Sequence, residues 1–183
     1  MRAFIAIELP EELRQRLAQE QSRFRAVAAD ARWTRPEGIH LTLKFLGEIP
    51  DEQVEQGRKS LDEIGRFEPF TVHAKGFGFF PDARRPQVFW AGLDAPPELA
   101  QLAARVESAL TPLGFRPENR AFSPHLTLAR FKVPRPQPKL QELLAGQDDV
   151  ILGDFEVSEF FLWESKLAAQ GATYRKMARF PRD

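Results

Sequence analysis

The tetrad His-Leu-Thr-Leu occurs twice in this chain, at residues 40–43 within HLTLKFLGE and at residues 125–128 within HLTLARFKV. The chain has three histidines, and two of them open these tetrads. With 20 leucines and 6 threonines among 183 residues, Leu-Thr-Leu follows a given histidine by chance on the order of 4 times in 10,000, a figure that strand enrichment in threonine raises only modestly. One such tetrad would fit an ordinary amphipathic strand. Two in matching settings point to a duplicated unit. Side chains alternate along a strand, so His40 and Thr42 share one face while Leu41 and Leu43 take the other, and His125 and Thr127 are likewise backed by Leu126 and Leu128. The leucines anchor each strand in a core, and the His and Thr side chains face a shared cleft.

The rest of the chain supports the duplication. Arg2 to Leu9 reads as a buried strand. Pro10 with Glu11 and Glu12 starts a helix that runs to about residue 29 on the apolar spacing of Leu13, Leu17, Phe24, Val27 and Ala28. A short strand at 31–34, the first tetrad strand at 39–46 and a helix over 51–66 follow. Strands over 70–80 and 87–93 come next, then a helix opened by Pro96 and Pro97, with Leu99, Leu102, Ala103, Val106 and Leu110 on one face. A strand over 121–132, a short helix at 139–145 and a closing hairpin of 150–167 with 173–180 complete the reading. The fold class is α+β: a bilobal, pseudo-twofold duplication of a β-α-β unit, with antiparallel sheets lining a central cleft. No linker separates the halves, so residues 1–183 are expected to form one domain of two interleaved lobes.

Two imidazoles facing one another suit acid–base chemistry on a small group held between them. Histidine titrates near pH 6.5, so one ring can be neutral and the other protonated near neutrality. A neutral ring takes a proton from a nucleophile, and a protonated ring gives one to a leaving group on the opposite side. The threonine hydroxyls are donors whose natural targets are two non-bridging phosphate oxygens, where charge builds in the transition state. The pattern calls for in-line displacement at phosphorus without a metal or a covalent intermediate. It does not say which histidine is the acid.

Composition removes several alternatives. There is no cysteine, which excludes disulfides, thiolate nucleophiles and sulfur-ligated zinc. The two tetrad histidines have no carboxylate partners nearby in sequence, a poor metal signature, and there is no Gly-rich nucleotide loop. No cofactor is expected. Basic and acidic residues balance at 26 each, so the chain lacks the surplus that tracks a long nucleic-acid backbone, although a local pocket could still hold one or two phosphates. No segment approaches the ~20 apolar residues of a membrane span, and the N-terminus does not read as a signal peptide. A soluble, cytoplasmic monomer is expected.

RAFIAIELP at the start, HLTLKFLGE, QVFWAGL, SPHLTLAR and a closing hairpin bearing Tyr174 together resemble the 2H phosphoesterase superfamily. Within it they resemble the bacterial and archaeal RNA 2′,3′-cyclic phosphodiesterases, also called 2′-5′ RNA ligases. The resemblance covers nearly the whole chain. It implies hydrolysis of an RNA-terminal 2′,3′-cyclic phosphate to a 2′-phosphate and, in some members, ATP-independent 2′-5′ joining of such an end to a 5′-hydroxyl, as with tRNA halves. It further implies that His40 protonates the departing O3′, that His125 accepts the proton of the attacking water, and that Thr42 and Thr127 hold phosphate oxygens. It places an arginine near the phosphate at Arg130, which strict alternation would put on the leucine face unless a bulge re-aims it.

Lys44 shares parity with His40 and could approach the phosphate, or it is simply solvated. Arg84 and Arg85, in the loop before QVFWAGL, could reach an RNA backbone. Phe4, Phe45 and Trp33 are candidates to stack on a base. His73, with no threonine two residues on, reads as a surface histidine. The alternatives are a non-catalytic RNA-end binder and a related enzyme acting on another small cyclic phosphate or on 2′-5′ oligonucleotides.

Overall fold

A computed structural model describes residues 1–183. Its first strand, β1 (Arg2–Glu8), is buried on both faces. The first helix, α1 (Glu11–Arg25), begins at Pro10, with two acidic residues in its first turn where the helix dipole favours them. A two-residue strand, β2 (Arg32–Trp33), stops before Pro36. The first tetrad strand is β3 (His40–Glu48), followed by α2 (Asp51–Asp62), β4 (Phe70–Phe80), β5 (Val88–Asp94) and α3 (Pro97–Leu110). The second tetrad opens β6 (His125–Arg130), and α4 (Pro138–Leu144), β7 (Ile151–Val157), β8 (Phe160–Ala168) and β9 (Gly171–Phe180) complete the chain.

The strands form two antiparallel sheets. One has the order β3-β1-β8-β9 and the other β2-β6-β5-β4-β7. With the short β2 set aside, the two orders superimpose: β3 with β6, β1 with β5, β8 with β4, and β9 with β7. Each unit is a strand, a helix and a tetrad strand that pairs back onto the first strand. β3 lies at the edge of its sheet and β6 beside the two-residue β2, and the two tetrad strands pack against each other at the seam between the sheets.

The helices cross between the units. The helix of the first unit, α1, lies on the second sheet: Phe24 packs edge-on against Phe77 and Phe89 at 4.9 and 5.4 Å. The helix of the second unit, α3, packs on β3 of the first sheet and on α2. One contiguous apolar core of 35 buried residues therefore draws on both sheets and their helices. A second, smaller cluster of Phe4, Ala6, Phe161 and Trp163 covers the cleft side of the first sheet. No helix is long and apolar enough to cross a membrane.

The expected elements form, the first two helices ending about a turn earlier than expected, at Arg25 and Asp62, and two strands need further correction. The strand expected over 121–132 is shorter, because Pro124 interrupts regular pairing ahead of His125. The expected strand at 150–167 is two strands broken at Ser158 and Glu159. β7 pairs with β4 in the second sheet, and β8 pairs with β1 and β9 in the first. Periodicity within a strand carries no record of which sheet it joins.

Candidate active site

Both tetrad strands carry a β-bulge at the same place. In β3 the register with β1 passes from Thr42 opposite Ala6 to Lys44 opposite Ile5, leaving Leu43 unpaired. In β6 the register with β5 passes from Thr127 opposite Trp90 to Ala129 opposite Phe89, leaving Leu128 unpaired. One extra residue reverses the alternation beyond it. His and Thr keep their shared face, and the third residue after each Thr, Phe45 and Arg130, returns to that face. A cavity of about 460 Å³ at the seam is lined by Phe4, His40, Thr42, Phe45 and Tyr174 from the first sheet and by Thr127 and Arg130 from the second.

The Leu128 bulge has a dedicated support. Gln21, on the buried stripe of α1, is 1% exposed. Its amide donates to the carbonyls of Thr34 (2.7 Å) and Leu128 (3.1 Å). The Thr34 N–H donates to the same Leu128 carbonyl at 2.9 Å. The bulge that aims Arg130 is thereby tied both to a helix and to the segment that places Thr34 on the cavity wall.

His40 is enclosed by aromatic rings from the three strands beside its own. Ring-to-ring distances are 5.5 Å to Phe4, 4.5 Å to Trp163 and 5.1 Å to Tyr174. Only 8% of the residue is exposed. Burial disfavours the imidazolium and brings the pKa from 6.5 down to about 4, against the opposing pull of a backbone hydrogen bond to Gly38 and the nearby Glu8 carboxylate. Gly38 also lets the Tyr174 ring approach, since a Cβ there would lie 2.8 Å from that ring.

His125, expected on the shared cleft, is not on the lining of the seam cavity: it stands at the start of β6, half-buried, its ring edge-on to Phe80 at 4.8 Å. Its Nδ1 lies 2.8 Å from the Ser123 carbonyl. A carbonyl only accepts, so Nδ1 bears the hydrogen and Nε2 keeps a free lone pair. Burial lowers this pKa too, with the Ser123 hydrogen bond opposing and Arg130 adding to the effect. Both tetrad histidines thus bond to the backbone two residues upstream, a second mark of the duplication.

Lys44 does not face the cleft and is not solvated. The bulge at Leu43 turns it to the opposite side, where it is 3% exposed. Its ammonium donates to both carboxylate oxygens of Glu107 (3.0 and 2.8 Å) and to the Arg116 carbonyl (2.8 Å). Trp33 is also outside the site, its indole N–H donating to the Ala28 carbonyl and its ring packed on Phe89. Arg84 and Arg85 lie in an exposed turn held by Asp82, not on the cavity wall, although the turn follows the Phe80 that touches His125. His73 is a surface residue, 2.6 Å from Asp154.

Phe4 is buried, one face stacked on Trp163, and offers the cavity only part of its ring. Phe45, 61% exposed, presents an open face. Arg2, Thr34 and Ser165 also line the cavity, with no signal in the sequence. Gln21 did leave one: it is the single polar residue in the helical series Leu13, Leu17, Gln21, Phe24.

The LigT-like phosphoesterase family model matches residues 7–90 and 93–174. The RNA 2′,3′-cyclic phosphodiesterase of Methanothermobacter thermautotrophicus is 34% identical over 181 residues, covering 98% of each chain. That of Aeropyrum pernix is 37% identical over 163 residues, covering 88% of this chain and 92% of the relative. Among solved structures, a Thermus thermophilus protein superimposes with a TM-score of 0.81 at 31% identity, covering 98% of this chain and 97% of its own. Escherichia coli LigT complexed with 3′-AMP superimposes with a TM-score of 0.77 at 28% identity, covering 98% and 96%.

Proposed function

This chain belongs to the LigT-like phosphoesterase family, within the 2H phosphoesterase superfamily, and from that premise we propose that it hydrolyses RNA-terminal 2′,3′-cyclic phosphate to a 2′-phosphate by metal-independent acid–base catalysis between His40 and His125. The observation that carries the reading is the seam itself. Two bulged strands bring His40, Thr42, Thr127 and Arg130 to one cleft, in a family whose curated relatives are RNA 2′,3′-cyclic phosphodiesterases.

In this mechanism the neutral His125 takes a proton from water through Nε2. The water oxygen bonds to phosphorus as the P–O3′ bond breaks, and His40 gives its proton to O3′. The product has a 2′-phosphate and a free 3′-hydroxyl. The Nδ1 hydrogen bond to Ser123 supports the base role, because it fixes the tautomer with its lone pair on Nε2. Thr42, Thr127 and Arg130 hold the non-bridging oxygens as charge builds. Burial keeps His40 neutral at pH 7 even with the Glu8 carboxylate nearby, so the acid role requires the substrate phosphate to raise its pKa. Replacing water by a 5′-hydroxyl RNA end would give 2′-5′ ligation, as with tRNA halves, through the same groups.

The test is an RNA ending in 2′,3′-cyclic phosphate, incubated with EDTA and wild type, His40→Ala or His125→Ala, with the phosphate position of the product determined. Wild type should yield a 2′-phosphate and each variant should lose at least about 10²-fold in rate. Dependence on an added divalent ion, or a 3′-phosphate product, would remove this mechanism. A companion reaction with a 5′-hydroxyl oligonucleotide tests ligation directly.

A further inference from the structure

A second cavity, of about 660 Å³, adjoins the first. Phe45 and Glu48 belong to the walls of both. Its far side is the segment between α3 and the second tetrad, including Arg116, Asn119 and Arg120. Lys44 fixes this segment from beneath through the Arg116 carbonyl, and Glu107 holds it again by accepting the Glu118 N–H at 3.0 Å. The Lys44 charge is spent on Glu107. Arg116 and Arg120 are exposed, and neither guanidinium is paired with a carboxylate. Of the carboxylates on the wall, Glu48 lies 3.8 Å from the N-terminal ammonium, which leaves Glu118 as the opposing charge.

We propose that this second cavity is an RNA subsite, which takes the nucleotide immediately 5′ of the cyclic end and its backbone phosphate. The inference rests on the phosphodiesterase reading for the identity of the chain that enters. An RNA whose 3′ end occupies the seam must leave it in the 5′ direction. The route over Phe45 offers an open aromatic face for a base at the boundary. Beyond it stand two unpaired guanidiniums, the side chain best matched to a phosphate. The volume suits a nucleotide-sized ligand. The backbone that carries the arginines is also anchored, since Lys44 donates to the Arg116 carbonyl and Glu107 accepts the Glu118 N–H. This gives Lys44 a role the first cavity does not: it supports the subsite from below and does not touch the reacting phosphate.

The experiment compares a 2′,3′-cyclic mononucleotide with a ten-nucleotide RNA ending in 2′,3′-cyclic phosphate, using wild type and the double variant Arg116→Ala/Arg120→Ala. Wild type should favour the longer RNA. The double variant should raise KM for that RNA about tenfold, a loss of about 1.4 kcal/mol, and flatten its salt dependence by about one to two units of log–log slope. Its kcat and KM for the mononucleotide should not change, which separates a lost subsite from a damaged fold. Equal KM for the RNA in wild type and variant overturns the proposal, as does a wild type indifferent to RNA length. If wild type hydrolyses neither substrate, the activity reading has failed. Binding of a 3′-phosphorylated ten-nucleotide RNA, followed by fluorescence anisotropy, then decides the subsite alone: weaker binding by the double variant supports it and unchanged binding overturns it.

Discussion

At the scale of single residues, the environment of His40 sets the chemistry. Phe4, Trp163 and Tyr174 replace water around its ring, so the neutral form is favoured and the pKa falls to about 4. The unfolded chain binds that proton near pH 6.5 and the folded chain only near 4. Between those values the unfolded state holds more protons, so the contribution to stability is complete above pH 6.5 and is lost as pH falls towards 4. The loss at this site is on the order of 3 kcal/mol. Chemical denaturation of wild type and His40→Gln across pH 4 to 7 should show the two curves diverging by that order, with wild type falling faster on the acid side. Parallel curves would mean that His40 is solvated in the folded protein. Phe45 shows the opposite case: a large ring left 61% exposed at a cavity shared with Thr42 and Arg130.

At the scale of elements, the bulges decide which side chains reach the cleft. Without the extra Leu128, Arg130 would point into the core beside Leu126, and without the extra Leu43, Lys44 would point into the cleft. The Leu128 bulge is secured from α1 by Gln21. Gln21→Leu keeps the side-chain volume but removes the donor, leaving the partly buried Thr34 carbonyl without that partner. The variant should lose about 1–3 kcal/mol of stability. It should also lose about tenfold or more in kcat/KM, a loss of about 1.4 kcal/mol, when assayed well below its Tm, because Thr34 and Arg130 both shift. A variant that melts earlier but turns over normally would make Gln21 a packing residue with no influence on the site. Helix α3 acts similarly on the other tetrad strand, where Glu107 binds Lys44 and the Glu118 N–H together.

At the scale of the whole molecule, the helices exchange lobes. Phe24 of the first unit is buried against the second sheet, and Glu107 of the second unit holds a strand of the first. Neither unit retains its own helix as a cover, so we expect the halves to fold together. Differential scanning calorimetry should give one transition, with equal calorimetric and van't Hoff enthalpies. Two resolved transitions would establish independent lobes.

The same exchange explains what was legible in the chain alone. The local information was complete for the tetrads. The alternation of His, Leu, Thr and Leu fixed which face is apolar, the Pro and acidic signals located the helix starts, and the repetition of one tetrad announced the duplication. Tertiary pairing decided the rest. A bulge exists only relative to a partner strand, so no pattern within residues 40–48 or 125–130 could place Lys44 in the core or Arg130 in the cleft. The aromatic enclosure of His40 draws on β1, β8 and β9, from the two ends of the chain. The assignment of β7 and β8 to different sheets depends on long-range hydrogen bonding. Sequence determined the chemical groups and their local faces, because those follow from backbone geometry over a few residues. Only the fold determined their aim and their pKa values, because both are set by neighbours remote in the chain.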